Sequence, residues 1–307
     1  MGLTRQGGAW RKGIVTWREQ GALCISVPFT WLLSEARGIC YRHPNERIVA
    51  GGPAVRLMPD YLADVAEIET LVPSDPLRRA NPDASRTTFG CPNSCAFCGV
   101  RRIEHEFREI ADFTPAPVMC DSNLLACSDR HLRRVVNRLK TADFDQVDFN
   151  QGLDARLLTK ERARLLAELP LRPRFAWDAA DDEGPVMAAI GSLEAAGVPC
   201  RSSNLTNTAS APAHIYCLVG WRETPEEALY RMETLRAQRL CGVAMRYQPL
   251  DALTKNAFCP PQWNPRDLLR FTKFWNRQRW LGGLSYEEFC AGEPPAHQPT
   301  LPTTERV

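Results

Sequence analysis

Between residues 86 and 247 the chain alternates short extended runs with helical stripes, and no other feature restricts its fold as much. The extended runs fall near Arg86–Phe89, Val118–Asp121, Gln146–Asn150, Arg174–Trp177, Ile215–Val219 and Gly242–Tyr247. In Asp129–Lys140 the apolar residues Leu132, Val135, Val136 and Leu139 recur at helical spacing. Thr159 can cap a helix carrying Leu165, Leu166 and Leu169. Thr224-Pro225-Glu226-Glu227 is a helix start with a capping Thr, a proline at the first position and a Glu that completes a capping box. Six strands with helices between them imply a parallel sheet, because parallel neighbours need crossovers. An open six-strand barrel and a doubly wound sheet share this pattern. In both, sites lie on loops at the carboxyl ends of strands.

The loop after the first run is Gly90-Cys91-Pro92-Asn93-Ser94-Cys95-Ala96-Phe97-Cys98. Its three cysteines are the only clustered ones among twelve. Two chemistries suit three thiolates on one loop. A tetrahedral zinc would take Cys91, Cys95 and Cys98 with a fourth ligand, for which His105 is near enough in sequence. Structural zinc sites usually pair two knuckles, however, and no second Cys-x2-Cys is present. An iron–sulfur cube would use the same three thiolates as corners and leave one iron open. The remaining cysteines are scattered singly, and Met1–Gly8 has no apolar run of a signal peptide. Reduced thiols and a cytoplasmic location follow as expectations. Apolar and charged fractions of 44% and 24% are those of a globular protein, and a net charge of +2 calls for no polyanionic partner. No apolar run is long enough to span a membrane.

Residues 14–72 read as a small β-α-β-α module. A strand over Ala22–Phe29 leads to a helix over Thr30–Tyr41, then a strand at Arg47–Ala50 ends in Gly51-Gly52-Pro53. Leu62, Val65 and Ile68 mark a further helical face. Residues 73–85 are rich in turn formers and read as a linker. Asn264-Pro265 starts a helix in which Arg270, Lys273, Arg277 and Arg279 interleave with Phe271, Phe274, Trp275 and Trp280. That face can stack on nucleic acid or pack on the sheet. Four segments result: an N-terminal module and linker (1–85), a core (86–250), a helical extension (251–290) and a tail (291–307).

Cys-x3-Cys-x2-Cys with Phe97 before the third cysteine resembles the radical S-adenosylmethionine (SAM) enzymes. The resemblance implies a partial (β/α)6 barrel of the TIM type, within an α/β fold that has the small N-terminal module and the helical extension. It implies a [4Fe-4S] cluster on Cys91, Cys95 and Cys98, with SAM on the open iron. Tyr216-Cys-Leu218-Val-Gly220-Trp-Arg-Glu223 resembles the family's Gly-x-Ile-x-Gly-x-x-Glu, with Tyr216 in place of the first glycine. By the same resemblance Phe97, Leu218 and Gly220 lie by the adenine, Asp121, Ser122 and Asn123 take the ammonium, Arg156 pairs with the carboxylate and Asp178 holds the ribose. The implied reaction is one-electron cleavage of SAM to a 5′-deoxyadenosyl radical that abstracts hydrogen from a substrate the sequence does not name. An electron donor such as a flavodoxin or ferredoxin would serve it. The N-terminal module resembles a shortened cobalamin-binding domain, but it is short and lacks Asp-x-His-x-x-Gly, which argues against cobalamin. The alternative is a zinc-stabilised nucleic-acid-binding protein. The six-strand series and the Gly220 segment weigh against it, as does the near-neutral charge.

Overall fold

The structure is a computed structural model that describes residues 13–69, 76–202, 211–277, 280 and 283–292. It opens with a hairpin that the sequence reading missed. Strands β1 (Val15–Glu19) and β2 (Ala22–Ser26) pair antiparallel across Gln20-Gly21. Both turn residues have positive φ, 48° and 72°, as a two-residue turn matched to strand twist requires. Helix α1 (Leu33–Arg42) crosses over to β3 (Arg47–Gly51), which lies parallel to β2.

The helix expected over Leu62, Val65 and Ile68 does not form. Pro53 starts a one-turn helix, α2 (Pro53–Leu57), and Met58, before Pro59, is forced out of helical geometry at φ −136° and ψ 64°. The chain returns as β4 (Glu67–Ile68) beside β3. Leu62, Val65 and Ile68 still reach the module's core, from a turn and a strand, so their spacing imitated a helical stripe.

The linker also carries structure. Pro76–Ala80 forms helix α3, and Ala84–Ser85 forms β5, so the parallel series starts two residues before position 86. Strand β6 (Thr88–Phe89) turns aside to pair antiparallel with β7 (Arg108–Glu109), and the short helix α4 (Val100–Ile103) lies between them. The first parallel strand, expected at 86–89, therefore lies earlier, at Ala84–Ser85, and 88–89 belongs to the antiparallel ribbon. Then follow β8 (Val118–Met119), α5 (Asp129–Ala142), β9 (Val147–Phe149), α6 (Lys160–Leu166), β10 (Leu171–Arg172) and β11 (Arg174–Ala176). The series ends with α7 (Glu183–Ala195), β12 (His214–Val219), α8 (Pro225–Ala237) and β13 (Cys241–Arg246).

The parallel strands lie in the order β10-β9-β8-β5 in one sheet and β11-β12-β13 in the next. Pro173, which has no N–H, separates β10 from β11 in what is otherwise one run. Its carbonyl still accepts from His214 N at 3.1 Å, and a bridge from Leu153 to Phe175 ties β11 to the segment after β9. Spatial order thus follows chain order, unlike a doubly wound sheet, whose order reverses at a switch point. The fold is mixed α/β with several parallel sheets.

Alternation along β12 decides which face is which. Ile215, Cys217 and Val219 are fully buried against the helices, whereas Tyr216 and Leu218 face the other way. Ala176, in register with Tyr216, is exposed, and Met245, in register with Leu218, is 47% exposed. The face opposite the helices is therefore open toward the carboxyl ends. Helices α5, α6 and α8 begin at Ser128, Thr159 and Thr224, each accepting a backbone N–H with its side chain.

In helix α9 (Pro265–Asn276), capped by Asn264, Leu268, Phe271, Phe274 and Trp275 are buried in the main core. The rings interleaved with basic residues thus pack against the sheet and are not presented for stacking on bases. Helix α10 (Tyr286–Gly292) follows. The expected tail lies outside the described residues from 293 onward. Among the described residues no helix is long and apolar enough to cross a membrane.

Candidate active site

The cysteine loop is the long connection of the β6–β7 ribbon, and one buried and one half-buried carboxylate fix it. Gly90 has φ +75°, and a Cβ there would lie 2.7 Å from the Glu106 carbonyl oxygen, so only glycine fits. Asp121 Oδ1 accepts from the backbone N–H groups of Thr87 and Thr88, each at 2.6 Å, and from both hydroxyls at 2.9 Å. These four bonds turn the chain from β5 into β6. Burial pushes the Asp121 carboxyl above its ordinary range, against the pull of those bonds. Glu104 closes the loop from its far side. It accepts from Gly90 N, Ser122 Oγ and Arg86, each at 2.8 Å.

Asn123 joins the loop to the next strand. Its Nδ2 donates to Cys91 Sγ at 3.3 Å and to Asp154 Oδ2 at 3.1 Å. Both neighbours are acceptors, which fixes the amide orientation. Asn93, inside the loop, donates to the same Asp154 oxygen at 2.8 Å. Arg156 pairs with Asp154 through Nε at 2.8 Å and Nη2 at 2.9 Å. Burial alone would raise the Asp154 carboxyl, but the bonds from Arg156, Asn93 and Asn123 hold it below its ordinary range. Asp121 Oδ2 and Asn123 Oδ1 are buried acceptors that receive no hydrogen bond.

All three cysteines are free thiols, half-buried at 91 and 95 and exposed at 98. His105, considered as a fourth zinc ligand, is exposed, and no three His, Cys, Asp or Glu side chains among the described residues converge on a single-ion site. An all-thiolate donor set on one loop, with a donor aimed at one sulfur, fits an iron–sulfur cluster with an open corner.

Across the sheet, Asp178 Oδ1 accepts from Leu218 N at 3.0 Å. Burial pushes Asp178 up to about 6; the Leu218 bond opposes the rise and the charge of Asp182 adds to it. Arg231 donates to the carbonyls of Trp177 (2.7 Å) and Leu218 (2.9 Å). The Leu218 backbone is fully engaged, which leaves only its side chain for a ligand. Gly220 is packed against its own chain. Its φ is +77°, a Cβ would meet Leu268 at 2.8 Å, and its N–H is bonded to Glu223. Glu223 also accepts from Trp221 N and Arg222 N, both at 3.2 Å, so Gly220 and Glu223 shape a turn. That turn presents Trp221, whose ring meets Phe97 edge-on at 5.0 Å. Beside Trp221 and Asp178 lies a cavity of about 550 Å³, walled by Trp177, Glu183 and Tyr230. Its volume is within the range of small-molecule sites.

The N-terminal module braces the loop from behind. Arg56 donates to the Ile103 carbonyl at 2.9 Å, and Arg102 to the Leu57 carbonyl at 3.0 Å. Its Gly51-Gly52 turn is not an open cradle. A Cβ at Gly52 would sit 2.8 Å from the Val27 backbone, and one at Gly51 would sit 2.8 Å from the Glu69 carboxylate.

Sequence reasoning missed Thr87, Thr88, Asn93, Glu104, Asp154 and Trp221. Asn93 lies within the cysteine motif and Asp154 two residues before Arg156, so proximity was the one available signal. For Glu104 the sequence carried none. The three cysteines and Phe97 lie on the loop with Asn123 against it, and Asp178, Leu218 and Gly220 stand at the ends of β11 and β12, where the charge of Asp178 reaches Cys95 and Cys98.

No protein-family model and no curated protein matches the chain. The chain is similar to a solved structure of the radical SAM methyltransferase TsrM from Kitasatospora setae with cobalamin and a [4Fe-4S] cluster bound. The match has a TM-score of 0.51 and 12% identity, and covers 74% of this chain and 64% of that one. A second structure of that enzyme, with tryptophan substrate and a SAM analogue, matches at TM-score 0.49 and 12% identity, over 75% of this chain and 62% of that one. The first likeness shows a shared fold. The chain spans less than two thirds of that enzyme's length.

Proposed function

We propose that this protein is a radical SAM enzyme built on a partial (β/α)6 barrel. The observation that carries the reading is the loop of three free thiols, fixed by Asp121 and Glu104 at the carboxyl ends of sequence-ordered parallel strands. The fold likeness to a radical SAM methyltransferase supports it. Cys91, Cys95 and Cys98 would hold a [4Fe-4S] cluster, which when bound supplies the electron that cleaves SAM to methionine and a 5′-deoxyadenosyl radical. The chain's own task is to receive SAM. Asp121, Ser122 and Asn123 would take its ammonium, though Asn123 Oδ1 and Asp121 Oδ2, which receive no hydrogen bond, are sealed and would have to turn toward it. Arg156, held by Asp154, faces the carboxylate, and Asp178 the ribose. Phe97 and Trp221 offer ring surface to the adenine, with the Leu218 side chain on the open face. The electron would come from a flavodoxin- or ferredoxin-like donor. No step is assigned to cobalamin.

The test is anaerobic reconstitution with iron and sulfide, reduction by dithionite with SAM, and chromatography for 5′-deoxyadenosine. The wild-type chain is expected to produce it, and a Cys91, Cys95, Cys98→Ala variant is not. Stoichiometric zinc with no cluster and no 5′-deoxyadenosine would overturn the reading.

A further inference from the structure

We infer that Asn123 and Asp154 set the reduction potential of the cluster that Cys91 would help to hold. The inference rests on the radical SAM reading and goes beyond it, because it gives Asn123 and Asp154 a role in which neither ligates iron. Asn123 is 3% exposed and its amide points both hydrogens at acceptors, Cys91 Sγ at 3.3 Å and Asp154 Oδ2 at 3.1 Å. An electron added to a cluster raises the negative charge on its sulfurs. A donor aimed at a ligand sulfur therefore stabilises the reduced form and raises the potential.

Asp154 acts in the opposite sense. Its side chain is only 8% exposed, so its charge is weakly screened. Through Asn93 and Asn123 it is one hydrogen-bonded step from the loop. Its negative charge opposes a further electron, and Arg156 offsets that charge from the solvent side. The three residues therefore form a graded device. Asn123 favours reduction, Asp154 disfavours it, and Arg156 tempers Asp154. A donor that only held the loop in place would give no such signs.

The experiment is a redox titration of the reconstituted protein without SAM, followed by the electron paramagnetic resonance signal of the reduced cluster. Asn123→Ala removes the donor to sulfur and is expected to move the midpoint to a more negative potential. Asp154→Asn removes a buried charge and is expected to move it to a more positive one. Arg156→Gln leaves Asp154 uncompensated and is expected to move it negative again. Iron and sulfide content per chain shows that each variant is loaded. If Asn123→Ala fails to load, the opposed shifts of Asp154→Asn and Arg156→Gln still decide the matter. Unchanged midpoints, or shifts of one sign in all loaded variants, overturn the inference and leave the enzyme reading standing. A wild-type chain that assembles no cluster overturns both.

Discussion

Replacing Asp121 by alanine tests whether one carboxylate oxygen holds the entry to the cysteine loop. Thr87 and Thr88 are both fully buried, and their backbone N–H groups donate to Asp121 Oδ1 at 2.6 Å. The two hydroxyls can rotate toward other acceptors, but the N–H groups cannot. An orphaned buried N–H costs about 1–3 kcal/mol, so the substitution is expected to remove about 2–6 kcal/mol of stability. Much of a domain's net stability, about 5–15 kcal/mol, is at stake. Asp121→Asn keeps a carbonyl oxygen with two lone pairs, and its expected cost is about 1 kcal/mol. Urea unfolding of the apoprotein measures the global loss. Hydrogen exchange of the Thr87 and Thr88 amides measures the local one, and both should rise in exchange rate together. A loss below about 1 kcal/mol for the alanine variant, or an asparagine variant equally damaged, would show that the carboxylate does not hold this turn.

Three further outcomes are expected. Gly90→Ala meets the Glu106 carbonyl at 2.7 Å, whereas Gly197→Ala, at φ +93°, meets nothing within 4 Å. The second should cost only the left-handed strain of about 1–2 kcal/mol, while the first should also lose iron binding, as iron content after reconstitution will report. Arg231→Met leaves the carbonyls of Trp177 and Leu218 without their donor. Thermal unfolding should show a loss of about 2–4 kcal/mol, and an unchanged midpoint would mean that water replaces the guanidinium. Asp178 titrates at about 6 in the folded chain and near the ordinary value of about 3.9 when unfolded. The folded state thus keeps a proton that the unfolded state loses, and stability from this group falls as pH rises from about 4 to about 6. Unfolding midpoints across that window should flatten in Asp178→Asn, and an identical pH profile would refute the burial argument.

Local chemistry was legible along the chain. Helix starts at Thr224 and Asn264 need only neighbouring residues, and they lie where their caps and prolines put them. The stripe at Leu132, Val135, Val136 and Leu139 is buried as its period requires. The cysteine spacing singled out a soft-ligand loop. Where two local structures share one spacing, sequence misled. Leu62, Val65 and Ile68 repeat like a helix, yet Pro53 and Pro59 break the chain into a turn and a strand.

Whatever depended on distant partners emerged only in the folded chain. The break between β5 and β6 follows from Asp121, more than thirty residues away, taking the N–H groups of Thr87 and Thr88 that a continuous strand would have paired. Gly220 and Glu223 fit a cofactor motif in sequence, and only the approach of Leu268 and the turn at 220–222 show what they do. The basic and aromatic face of α9 could serve nucleic acid or a core, and burial of its rings chose the core. Periodicity and capping act over a few residues, so they can be read along the chain. Hydrogen bonds from Asn123 to Cys91 and from Glu104 to Gly90 join residues that neighbour one another only after folding, and no local pattern encodes them.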